Sequence, residues 1–92
     1  MAGTVWIHQF ASEENIIDGS AAALYFGKET VEYYALDGNL KVLRLLRQLP
    51  YRIEGQKLTI GVKKGVLGGN FLTFRDEMYY CSNKNITDIL TP

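Results

Sequence analysis

The side chains able to do chemistry are few and far apart. His8 is the sole histidine and Cys81 the sole cysteine. His8 alternates with Trp6 and Phe10 on one face of its segment. An imidazole there is either a ligand contact or pH-sensitive group inside a fold, or a strand residue near a sheet end, hydrogen-bonded or solvated. The second is the expectation. A metal site would require further His, Cys or clustered carboxylates, so none is expected. Cys81 could be a nucleophile only with a base and a lowered pKa. Its neighbours Tyr79, Tyr80 and Ser82 supply no cation, which favours a buried or half-buried strand cysteine. Glu13-Glu14 and Asp76-Glu77 fall in expected loops or turns, where solvated charge is the default. They do not make the pair of carboxyls flanking a cleft that glycoside hydrolysis needs. Gly65 and Gly68-Gly69 are followed by no Lys-Ser/Thr, so they form no phosphate loop and read as bulge or linker glycines. Asn85-Ile86-Thr87 matches a glycosylation sequon, a short pattern that arises often by chance. The residues therefore point to a chain that is not an enzyme and needs no cofactor.

Two sets of residues suit binding better than catalysis. Trp6, Phe26, Tyr33, Tyr51, Phe71 and Tyr80 come from six different expected strands. If their inward faces converge, they either fill a barrel or line a pocket for an apolar or planar ligand. Size favours filling. With His8, the residues Trp6, Tyr33, Tyr51, Phe71 and Tyr80 are the candidate ligand contacts. Arg44, Arg47 and Arg52 alternate with leucines near the middle of the chain. They are the candidate partner contacts, because Arg and Tyr together suit a protein–protein hot spot. An ordinary solvated sheet face has the same composition.

The elements that must position these residues are strands. Leu49-Pro50-Tyr51-Arg52-Ile53-Glu54 and Lys57-Leu58-Thr59-Ile60-Gly61-Val62 alternate strictly about Gly55-Gln56, and a leading glycine supplies the positive φ of a type II′ turn. Folded there, Glu54 opposes Lys57, Ile53 opposes Leu58, Tyr51 opposes Ile60 and Leu49 opposes Val62. A one-residue slip would bury the charges, so the register is well specified. Thr4 to Phe10, Ala21 to Phe26 and Thr30 to Leu36 are further strands, the first with both faces partly covered. Ala11 to Ser20 is a polar connection, and Asp37-Gly38-Asn39 is a turn. Asn70 to Arg75 and Glu77 to Ser82 form a last hairpin about Asp76. Lys63-Lys64-Gly65 and Gly68-Gly69 bracket a short linker, and Asn83 to Pro92 is a polar turn followed by a tail. Leu40 to Leu49 is ambiguous. Val42, Leu45, Leu46 and Leu49 have the spacing of a helical face, but Leu43 falls on the polar side and the preceding turn invites a hairpin. Strand is preferred.

The chain has 92 residues, enough for one domain, and 47% are hydrophobic, ample for a core. Ten basic residues balance ten acidic ones, without the clustered positive excess typical of a nucleic-acid binder. No apolar run approaches a transmembrane helix. No signal-peptide pattern opens the chain, although the abrupt start at Met1-Ala2-Gly3 also suits a chain whose leader is absent. Seven or eight short strands separated by turn chemistry predict an all-β fold spanning residues 1–92. A small antiparallel up-and-down β-barrel is preferred and a Greek-key β-sandwich is the alternative.

Three motifs resemble one family. Gly3-Thr4-Val5-Trp6 is similar to the Gly-x-Trp opening of lipocalin-like barrels. Leu24-Tyr25-Phe26-Gly27-Lys28-Glu29-Thr30-Val31-Glu32-Tyr33-Tyr34 resembles their second hairpin, and Tyr51-x-Ile53-x-Gly55-x-x-Leu58-x-Ile60 their central one. Together, across Gly3 to Tyr80, they resemble the small lipocalin-like β-barrel proteins found in secreted or lipoprotein form in gut Bacteroidetes. Two departures stand out: two residues rather than one separate Gly3 from Trp6, and Gln56 replaces the commoner Asn. The resemblance implies a lipocalin-like barrel and an extracytoplasmic address, in the periplasm, cell envelope or medium. The expected function is a non-catalytic binding module for a small apolar ligand or cell-surface partner, as a monomer or edge-paired dimer. The alternative is a solid-core interaction or inhibitor protein that acts through an exposed sheet face or edge strand.

Overall fold

The computed structural model describes residues 2–9, 21–75 and 77–90. Eight antiparallel strands follow one another around a closed barrel in chain order, β1 pairing back with β8. They are β1 (Thr4–Gln9), β2 (Ala21–Phe26), β3 (Thr30–Leu36), β4 (Val42–Glu54), β5 (Lys57–Ile60), β6 (Lys63–Leu67), β7 (Phe71–Phe74) and β8 (Glu77–Ser82). A short helix, α1 (Ile86–Leu90), ends the described chain. The up-and-down barrel is the expected fold, and the Greek-key sandwich is set aside by the pairing order.

The number of strands agrees with the sequence, but two are distributed differently. Val42 to Leu49 and the following segment belong to one strand, the thirteen-residue β4, so the preference for strand over helix holds, with Leu40 and Lys41 outside it. Its helical spacing arises from two register shifts against β3. They lie between Tyr33 and Tyr34 and between Ala35 and Leu36, and leave Leu46 and Leu43 as extra residues. Each β-bulge inserts one residue and offsets the alternation. The expected linker after Lys63-Lys64 is instead β6, paired with both β5 and β7.

Alternation along the strands separates two apolar clusters. Trp6, Ala22, Leu24, Phe26, Val31, Ala35, Leu58, Ile60, Leu72, Phe74 and Tyr79 fill the interior. Val5, Ala21, Ala23, Tyr34 and Leu36 point the other way and are covered by Ile86 and Ile89 of α1. This explains why β1 and β2 are apolar on both faces: Val5 is 0% and its neighbour Trp6 4% exposed.

The hairpin about Gly55-Gln56 has the expected register from Glu54↔Lys57 to Tyr51↔Ile60, and Gly55 has φ 63°. It stops there. Leu49 does not oppose Val62, because Gly61 (φ 61°) turns the chain into β6 and Val62 sits at the turn, 91% exposed. Gly61 N–H instead donates to the Pro50 carbonyl at 2.7 Å. Among the described residues, Val42 to Leu49 are thus paired on the β3 side only. Among the described residues, this mismatch between a long β4 and a four-residue β5 leaves one end of the barrel open.

Candidate functional site

The open end is formed where β4 outruns β5, beside the β5–β6 and β7–β8 turns. A cavity of about 230 Å³ lies there. Leu24, Val31, Leu49, Ile60 and Phe74 form its apolar floor, drawn from five strands whose inward faces alternate toward the axis. Tyr33, Arg47, Lys63 and Arg75 line its upper part, with Gly61 and Val62. Val31 pairs with Leu49 and Tyr33 with Arg47, so Arg47 takes an inward register position one step above the floor. Arg75 reaches the site from the β7–β8 turn, where it adopts φ 56°.

Behind Tyr33, the tyrosine and histidine side chains form a connected polar wall. The Tyr33 and Tyr79 hydroxyls influence each other's ionisation. The Tyr79 hydroxyl is 3.5 Å from Oε1 of Glu77. Glu77 Oε2 lies 3.5 Å from His8 Nε2, both side chains being half-buried. His8 Nδ1 is 2.8 Å from the Met78 carbonyl, which can only accept, so that nitrogen carries the proton. The His8 and Tyr79 rings stand 5.4 Å apart. Burial pushes the hydroxyl pKa of Tyr33 and, far more strongly, of Tyr79 upward, and the Glu77 carboxylate adds to both. These tyrosines are neutral hydrogen-bonding groups at ordinary pH.

The other end of the barrel is plugged. Trp6 is buried and its Nε1 donates to Thr4 Oγ1 at 2.9 Å. Tyr51 stands edge-on to Phe26 with ring centres 5.0 Å apart, and its hydroxyl donates to the Gly27 carbonyl at 2.7 Å. Of the candidate ligand contacts, the structure therefore puts Tyr33 on the cavity, His8 on the wall behind it, and Trp6 and Tyr51 in the packed core. Phe71 and Tyr80 are register partners on the outer face, because Leu72, Phe74 and Tyr79 take the inward positions beside them. Tyr80 is exposed there, so these two aromatics do not converge with the rest.

Arg44 and Arg47 share the inward-register face of β4, opposite Ala35 and Tyr33, whereas Arg52 takes the outward side opposite Thr59. Arg47 lines the cavity, Arg44 is exposed opposite Ala35, and Arg52 is exposed with Nε 3.1 Å from Glu54 Oε1. Cys81, expected buried or half-buried, is exposed, lying beyond the last register pair of β8 with β7, Phe71↔Tyr80. Glu77, expected in a solvated turn, opens β8 and faces His8. Phe10, Glu13, Glu14 and Asp76 lie outside the described residues. Among those described, no cluster of three or more His, Cys, Asp or Glu could hold a metal ion, and no helix is long and apolar enough to cross a membrane. The sequence does not mark Arg75, Lys63, Tyr79 or Glu77 as site residues. Their one signal is that strand alternation places Tyr79 inward with Glu77 two residues before it.

The chain matches no protein-family model, no curated protein and no solved structure among those compared. The geometry of the barrel mouth is what speaks to function.

Proposed function

We propose that the chain is a non-catalytic binding module that takes a small, largely apolar molecule into the open end of the barrel. The observation that carries this reading is the cavity of about 230 Å³ over an apolar floor, in a barrel whose opposite end is packed shut. A barrel of eight strands is about wide enough to be filled by its own side chains, so space left at one end is not a general property of the fold. The cavity is smaller than the roughly 300–1,000 Å³ of drug-sized sites, which favours a compact ligand. The motif resemblance supports a place among small lipocalin-like barrels of the secreted or lipoprotein type, and with it an extracytoplasmic address.

Native mass spectrometry followed by denaturation tests the reading. A small molecule that travels with the folded chain and leaves on unfolding supports it. A folded protein that neither carries nor takes up any apolar molecule contradicts it. A second reading, docking of a protein or a second copy along β4, is favoured by its one-sided pairing and by exposed Leu43 and Leu45. The two bulges and Arg44 and Arg47 are, however, features that blunt an edge against pairing. The same spectrum counts subunits and separates the two readings.

A further inference from the structure

We propose that the mouth selects an organic anion: a molecule whose apolar body fills the floor and whose carboxylate is held by Arg47, Arg75 and Lys63. This inference rests on the reading of the mouth as a ligand site and adds the chemical class of the ligand.

Among the described residues, the cavity is lined by three cations and by no carboxylate. In a chain with balanced charge, that is a local concentration rather than a general basic excess. Glu77 stands behind Tyr79 with an oxygen turned to His8 at 3.5 Å. Arg47 is the most telling residue. It occupies an inward position opposite Tyr33, directly above Leu49 and Val31, where a barrel closing on its own side chains would place an apolar residue. Its planar guanidinium can engage a carboxylate through two parallel hydrogen bonds, and Arg75 approaches from the facing turn.

Size limits the body of the ligand. An apolar cavity of about 150 Å³ takes up benzene, so the larger space here suits a substituted ring or a medium-length acyl chain. An ordinary long-chain lipid would protrude.

The test compares octanoate with octan-1-ol, which share a chain and differ in charge, by calorimetric titration of the folded protein at low salt. Octanoate is expected to bind at least about ten-fold more tightly, as a charge-assisted hydrogen-bonded pair would give. The preference shrinks as salt is raised. In the double variant Arg47→Gln, Arg75→Asn the preference falls to about two-fold or less. Both arginines are exposed, and asparagine tolerates the positive φ at position 75, so the variant is expected to fold, which circular dichroism checks. Equal binding of the two probes, or a preference that survives the double substitution, overturns the anion inference and leaves the mouth reading standing. Binding of neither probe overturns both.

Discussion

Tyr33 and Arg47 are register partners across β3 and β4, directly beyond the Val31–Leu49 pair that floors the cavity. One residue further along β4, the extra residue Leu46 bends the strand, and its other side has no β5 partner among the described residues. The pair thus marks the level at which the packed interior ends and the mouth begins. Everything below it is core, and the expected consequences of that division can be measured.

The plugged end depends on a few polar tethers. Tyr51→Phe removes the 2.7 Å hydrogen bond to the Gly27 carbonyl and keeps the ring against Phe26. A loss of about 1 kcal/mol in urea unfolding is expected, with binding at the mouth unaffected. An unchanged midpoint would show that water replaces the tether without loss.

Gly65 is an inward position on β6 where a side chain has no room. A Cβ there would lie 2.3 Å from the Thr73 carbonyl oxygen on the neighbouring strand. Gly65→Ala is expected to cost about 1–3 kcal/mol, the range for overpacking. A variant as stable as the parent would mean that β6 and β7 separate easily.

The outer cluster makes α1 part of the fold. Ile89 is fully buried against the outward faces of β1 to β3, and Lys41 Nζ donates to the Asp88 carbonyl at 2.6 Å. Ile89→Ala is expected to cost about 2 kcal/mol, the low end for such a truncation, because a five-residue helix can lift away as a unit. Hydrogen exchange of the amides of Val5 and Ala23 should quicken. Unchanged exchange and stability would show that α1 contributes nothing.

Legibility in the sequence followed the alternation. The β4–β5 hairpin was readable because each apolar residue has an apolar opposite and a glycine stands at the turn. Its limit at Gly61 was not, since alternation continues through Val62 although the backbone has already turned. The β6 segment hid for a related reason: its inward position beyond Lys63 is Gly65, which has no side chain to reveal a face. Bulges gave β4 the spacing of a helix. At the site, Tyr33 was readable as an inward aromatic. Arg47 was not seen as a site cation, because an inward arginine and a solvated one look alike until the neighbouring strand is known to be too short to cover it.

Burial of phenols predicts sensitivity to alkali. The hydroxyl pKa values of Tyr33, Tyr34, Tyr51 and Tyr79 are all raised, desolvation by burial being the largest cause in each case. Below the ordinary phenol pKa of about 10, both folded and unfolded chains keep these protons, and the fold loses nothing. As pH rises further, the unfolded chain releases them first, so stability falls through and beyond that value. In a spectrophotometric titration, the folded protein should show fewer tyrosinates than its six tyrosines at about pH 11, with the remainder appearing together on unfolding. Six that ionise before any loss of structure would contradict the packing described.

The division of the barrel into a plugged end and an open one is tested most directly by methyl nuclear magnetic resonance during titration with octan-1-ol. Saturable shifts are expected at Leu24, Val31, Leu49 and Ile60, which floor the cavity, with Leu58 and Leu72 in the packed part of the core hardly moving. Shifts absent from those floor residues, or confined to outer residues such as Leu43 and Val66, would contradict it.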